Sequence, residues 1–210
     1  MKHIFTSAIV LGLFGVAGTL LVSSIEAITA DRIIANEQAA RMRKIAEVMP
    51  SELYNNDILN DSVTLPAGTL SERYPTRIYR AKMGSGMVGA VFEATTPEGY
   101  AGPIRVLIGI KLDGTVAGVR VLSHTETPGL GDLIELRRSH WVLGFNGKSL
   151  NNPPIEQWAV KRDHGDFDQF TGATITPRAV VKTVKQCLLY FQEHKDTLFP
   201  PSTTQSANDV

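Results

Sequence analysis

The sequence predicts an α+β protein: an N-terminal transmembrane helix and helical stalk, then an antiparallel β-meander flanked by helices. Three observations carry that prediction. One is a long charge-free apolar run near the N-terminus, and another is a set of four strand-like runs between residues 77 and 122. The last is a helical apolar stripe that begins at Pro177.

The apolar run, Ile4 to Ile25, holds 22 residues without a charge. At about 1.5 Å per residue it can cross a hydrocarbon core of roughly 30 Å. A cleaved signal peptide has an apolar core of about 7–15 residues followed by an Ala-x-Ala-like site. Ile25-Glu26-Ala27 and Ile28-Thr29-Ala30 fit such a site poorly, which favours a retained anchor in the lipid bilayer. Lys2 precedes the span, whereas Arg32, Arg41, Arg43 and Lys44 follow it. A literal positive-inside count favours a cytoplasmic body, yet large C-terminal domains translocate largely regardless of charge. Charge alone leaves the orientation open.

Asp31 to Met49 reads as the helical stalk, ended by Pro50. Asn55 to Pro75 is polar and turn-rich and predicts a connector with little regular structure. Strands are expected over Arg77–Lys82, Met87–Thr95, Ile104–Leu112 and Val116–Leu122, with one face of the meander partly exposed. Asp113-Gly114 between the last two is a hairpin signal. Gly84-Ser85-Gly86 supplies a turn and bulge before the second strand; a P-loop would need a following helix and a Lys-Ser/Thr pair.

Asp132 and Glu135 are spaced as a capping box, which predicts a helix from Asp132 to about Val142 carrying Arg137 and His140. The last helix should run from Pro177 to about His194, with Val180, Val181, Val184, Cys187, Leu188 and Phe191 on one face. Thr176 suits its N-cap and Pro177 its first position. The expected division is 1–26 for N-terminus and span, 27–75 for stalk and connector, 76–199 for the folded domain and 200–210 for a disordered tail.

Composition narrows the chemistry. Lys plus Arg and Asp plus Glu both number 21, so no net field argues for nucleic acid. Cys187 is the only cysteine, which excludes an intrachain disulfide and a cysteine-ligated iron–sulfur cluster. No Cys-x-x-Cys-His run exists for haem attachment. An electron carrier here would be organic or held by other ligands. Nucleophile-elbow, zinc-pair and dinucleotide patterns are missing. Asp163-His164-Gly165-Asp166-Phe167-Asp168 lacks EF-hand spacing and reads as a solvated acidic loop, so no metal site is expected. Trp141, Trp158 and Phe170 could stack on a flat ring and equally suit a core, as does Cys187.

Two loops stand out. Asp168-Gln169-Phe170-Thr171-Gly172-Ala173-Thr174-Ile175-Thr176 is hydroxyl-rich and runs into a helix N-terminus, where free N–H groups and a positive dipole favour phosphate. His124-Thr125-Glu126-Thr127-Pro128-Gly129-Leu130-Gly131 joins a strand to the expected Asp132 helix, with Pro128-Gly129 suited to a type II turn.

Asp168-x-x-Thr171-Gly172-Ala173-Thr174 resembles the flavinylation motif of the FMN-binding domain family, whose final threonine bears FMN through a phosphodiester. The resemblance implies Thr174 as the modified residue, with Asp168, Thr171, Gly172 and Ala173 completing the motif and Thr176 at the phosphate-holding helix end. The run from Glu126 to Gly131 is similar to a loop that lies near the flavin in that family, which implies FMN contacts from Glu126, Thr127, Gly129 and Leu130. Within the family, the order of span, stalk, meander and both loops is similar to the G subunits of Rnf/Rsx ion-translocating electron transport complexes. That similarity covers nearly the whole chain except the tail. The C subunits of sodium-translocating quinone reductases share the loops but are typically longer. A membrane-anchored FMN-binding or assembly protein without a redox role is the other alternative.

By that resemblance the chain would be an electron-carrier subunit with one covalent FMN, anchored in the cell inner membrane with its body on the periplasmic side. It would have no stand-alone catalytic activity, and its partners would be the other Rnf/Rsx subunits. A threonine hydroxyl is a weak nucleophile unless activated, and no Lys or His adjoins Thr174 in sequence. The resemblance therefore also implies a flavin transferase of the ApbE type, with Asp168 serving recognition by that enzyme or positioning its metal.

Overall fold

The computed structural model describes residues 2–198, so the expected tail at 200–210 lies outside the described residues. The span and stalk form one continuous helix, α1 (Lys2–Ala46). It is long and apolar enough to cross a membrane. Leu11, Phe14, Leu20 and Val22 on it are exposed, an arrangement that suits lipid rather than water.

The chain divides into compact units after Arg43. The second unit is built on a five-stranded antiparallel meander in sequential order: β1 (Ser62–Leu65), β2 (Thr76–Met83), β3 (Gly86–Thr96), β4 (Ile104–Lys111) and β5 (Val116–Ser123). The four expected strands occur within one or two residues of their predicted ends. The Asp113-Gly114 turn closes as anticipated, with Gly114 at φ 83° and the Thr115 N–H donating to Asp113 Oδ1 at 2.9 Å.

One face of the sheet packs on α2 (Ile175–Leu198). The core there joins Phe92, Ile108 and Ile110 to Val180, Val184, Cys187 and Phe191. Cys187 is fully buried, and burial pushes its thiol far above the ordinary value. Trp158 and Phe167 stack around Phe145 in the same core.

The opposite face is covered, contrary to the expectation of a partly exposed meander. Ile45, Val48, Met49, Tyr54 and Ile58 are buried together with Tyr79, Val91 and Leu107. Gly109 makes this approach possible, since a Cβ there would stand 2.1 Å from the Val48 carbonyl oxygen. The connector is also more ordered than expected. β1 pairs with β2, the Lys82 N–H donates to Asn56 Oδ1 at 2.8 Å, and Asp61 takes Arg80 at 2.5 Å and Lys82 at 2.7 Å. Four residues of strand in a polar segment give too short an alternation to read without the partner strand.

A second correction concerns residues 132–142. In place of one α-helix, short 3₁₀ turns run over Gly131–Ile134 and Trp141–Phe145. The capping box is absent. Asp132 Oδ1 accepts the upstream Gly129 N–H at 2.7 Å, while Glu135 accepts from Arg137 and lies 2.9 Å from His124 Nε2. Ser139 Oγ donates to the Leu133 carbonyl at 2.6 Å. These side-chain bonds compete with the helical ladder and win.

Candidate functional site

Helix α2 begins at Ile175, two residues before the expected start. The Arg178 N–H donates to the Thr174 carbonyl at 3.2 Å, which puts Thr174 rather than Thr176 in the N-cap position. Pro177 then falls at the third helical position, where its missing N–H still costs no intrahelical bond. The reason for the shift is tertiary. Thr176 is fully buried and donates its hydroxyl to Glu126 Oε2, so it serves the core instead of the cap.

Three threonines crowd this segment, and their environments differ. Thr171 is exposed and Thr176 is committed to Glu126. The partly buried Thr174 has one described side-chain partner, Arg162, whose Nη1 donates to Thr174 Oγ at 3.3 Å. The approach to Thr174 is a turn closed by the Ala173 N–H donating to the Phe170 carbonyl at 3.1 Å. Gly172 sits at φ 81° in that turn, a conformation that costs an L-residue roughly 1–2 kcal/mol.

Glu126 is 5% exposed and joins the two loops. Besides the Thr176 hydroxyl, its carboxylate accepts the Ala101 N–H at 3.1 Å. Its own N–H donates to His124 Nδ1 at 3.0 Å, which leaves Nε2 of His124 to face Glu135. Gly131 is enclosed so tightly that a Cβ would stand 2.8 Å from Glu126 and 3.0 Å from the Thr176 hydroxyl.

Between the loops lies a cavity of about 230 Å³. Glu126, Thr127, Leu130, Gly172, Ala173, Thr174 and Thr176 line it, as do Tyr100, Gly131 and Ile175, which the sequence did not single out. Gly129 is not in the lining; at φ 78° it forms the turn that carries Leu130. Asp168 and Thr171 stand outside as well, both exposed. Asp168 pairs with Lys161 at 2.6 Å, and its carbonyl accepts Trp141 Nε1–H at 2.7 Å.

The cavity wall is unusual in polarity. Tyr100, Leu130 and Ile175 are large apolar residues exposed by 71%, 43% and 43%, and all three border this one opening. The site thus offers an apolar rim, a threonine hydroxyl and a helix N-terminus within one opening. That set fits a phosphorylated molecule with a flat apolar ring. Trp158 and Phe170 belong instead to the core, and Trp141 is held edge-on between Phe145 and Phe170.

A larger cavity of about 330 Å³ lies apart from the motif, along Ser71, Thr76, Thr183 and Cys187. The hydroxyls of Ser71 and Thr76 are buried there without a partner among the described residues, and the space is polar and roomy enough for solvent to satisfy them.

The acidic run does not gather into a metal site. Asp163 binds Arg178 at 2.5 and 2.7 Å, Asp166 binds Lys148 at 2.8 Å, and Asp168 binds Lys161. Among the described residues no cluster of three or more His, Cys, Asp or Glu could hold a metal ion. The Arg178 guanidinium holds the Asp163 carboxyl below the usual carboxylate range.

Residues 99–189 match the FMN-binding domain family, and residues 1–48 match the RnfG N-terminal region. The chain is 43% identical over 198 residues to the G subunit of the ion-translocating oxidoreductase complex of Vibrio atlanticus, covering 94% of this chain and 95% of that protein. It is 42% identical over 201 residues to the corresponding G subunit of Pseudomonas aeruginosa, covering 95% and 94%. With that of Photorhabdus laumondii it shares 45% over 195 residues, covering 90% and 92%.

Proposed function

The chain belongs to the family of G subunits of ion-translocating oxidoreductase complexes, and from that premise we propose that it is a membrane-anchored electron carrier bearing FMN on Thr174. The carrying observation is the placement of Thr174. Its hydroxyl borders the cavity beside an apolar rim, while neighbouring Thr176 is locked into the core.

Tyr100, Leu130 and Ile175 would flank the ring system, and Glu126, Thr127 and Gly131 complete the lining around it. Bound there, FMN supplies one- and two-electron chemistry that none of the protein's side chains offers. Attachment makes one P–O bond from Thr174 Oγ to the flavin phosphate and breaks the bond to the donor's leaving group. The hydroxyl proton passes to a base of the attaching enzyme, since Arg162, the one described partner of that oxygen, is a donor. This supports an ApbE-type transferase, for which exposed Asp168 and Thr171 are accessible recognition points. The helix N-terminus at Ile175 would favour the resulting single negative charge by about 0.3–1 kcal/mol.

The body would lie on the periplasmic side of an inner membrane and exchange electrons with the other proteins of the complex. The exposed rim around the flavin cavity is the natural point of exchange, because electron transfer needs close approach rather than a deep site. Intact mass of the mature protein tests the reading and should show one FMN less one water per chain. In-gel flavin fluorescence after denaturation should accompany it. A protein weighing only its amino acids would refute covalent attachment.

A further inference from the structure

The cations around Thr174 are not equivalent. Lys161 is paired with Asp168, Arg178 is held by both oxygens of Asp163, and Lys148 is paired with Asp166. Arg162 differs. Among the described residues no carboxylate stands in ion-pair contact with it, and its one side-chain bond reaches the neutral hydroxyl of Thr174. Asp163 feels its charge but spends its oxygens on Arg178. An exposed guanidinium with five donors and one neutral acceptor has four donors to spare.

The backbone that delivers Arg162 is fixed to the motif segment. The Arg162 N–H donates to Gln169 Oε1 at 3.2 Å, and the Lys161 N–H donates to the Phe167 carbonyl at 2.7 Å. Gly165 packs so closely on Ala159 that a Cβ would stand 1.9 Å from its carbonyl oxygen. The loop at 160–167 therefore holds a fixed register against the motif, which lowers the ordering cost of any contact its side chains make.

We propose that Arg162 is the phosphate-holding residue of this site, its guanidinium gripping the phosphodiester at Thr174; this rests on the attachment proposed above. The phosphoryl oxygens of that diester would be carried on a phosphorus bonded to the very oxygen that Arg162 already contacts. Arginine suits them better than lysine, because its planar fork can meet two oxygens at once. Nothing in the motif pattern includes this residue; it reaches Thr174 from 12 positions upstream.

The test uses the full chain, produced together with a flavin transferase, as wild type, Arg162→Gln and Arg162→Lys. Intact mass gives flavin occupancy, and the ³¹P resonance of the diester reports on its contacts. The expected result is a resonance displaced in Arg162→Gln and lying between the two in Arg162→Lys, at unchanged flavin mass. Reduced flavin uptake in Arg162→Gln that Arg162→Lys restores also supports the contact. An unmoved resonance in both variants, or flavin lost equally from both, overturns it. Wild-type chain without flavin mass would instead overturn attachment at Thr174, so the two failures are told apart.

Discussion

The two loops that frame the cavity look alike in sequence and behave oppositely in the structure. In the loop from His124 to Asp132 the polar groups are spent inside the protein: Glu126 binds Thr176 and Ala101, and Asp132 binds Gly129 and Arg138. In the loop from Asp168 to Thr174 the polar groups face outward, and Thr174 keeps a hydroxyl that no backbone amide is described as holding. A capping hydroxyl tied to the helix would have to surrender that bond on modification. Here the bracing falls to one loop and the presentation to the other.

The sharpest way to break this comparison is Thr174→Ala. Covalent flavin should disappear from intact mass and in-gel fluorescence, while stability falls by no more than about 1 kcal/mol, because the one described side-chain bond lost is the 3.3 Å contact from Arg162. Flavin persisting in that variant would move the attachment elsewhere.

Glu126→Ala should do the reverse. It leaves the buried Thr176 hydroxyl without its acceptor, which costs about 1–3 kcal/mol, and also removes the acceptor of the exposed Ala101 N–H. Thermal unfolding of the full chain in detergent should show a fall of several degrees. A double-mutant cycle with Thr176→Val should give strong coupling, since the two side chains share one bond. Additive effects would mean that Glu126 does not join the loops.

Gly172→Ala is a smaller probe. A Cβ there meets only Leu130 Cδ2 at 3.7 Å, an ordinary contact, so the cost is conformational and about 1–2 kcal/mol. Unfolding measurements should show that loss, with flavin occupancy lower but not zero.

The smallest effect concerns acid. Arg178 lowers the Asp163 carboxyl below its usual value, so its contribution is full above the ordinary carboxylate range and is lost as pH falls through the depressed value. Amide protection across residues 163–168, taken relative to the intrinsic exchange rate at each pH, should fall in that acid window. Asp163→Asn should show the lower protection at neutral pH and no such step.

Much of the fold was legible because its signals are local. An apolar run of bilayer length, alternating strand residues, Asp-Gly at a hairpin and the stripe on α2 each declare themselves between near neighbours. The Thr-Gly-Ala-Thr segment was legible too, as a hydroxyl loop before a helix. The expected Asp132 helix does not form, because Asp132, Glu135 and Ser139 take other partners that local spacing cannot show. Tyr100 gives no signal, being a lone aromatic in a turn, and Arg162 sits beside an acidic run with no local spacing that ties it to Thr174.

By itself the sequence determined the span, the four long strands, the last helix and the segment carrying Thr174, because periodicity, turn chemistry and apolar length act over short stretches of chain. Tertiary structure alone decided that residues 45–58 cover the second face of the sheet and that β1 exists. It also decided that Thr176 turns inward to Glu126 and that Arg162 comes to rest on Thr174. Those outcomes depend on groups far apart in the chain meeting in space, Arg162 and Thr174 across 12 positions and Glu126 and Thr176 across 50, and bonds between distant residues leave no period in the chain.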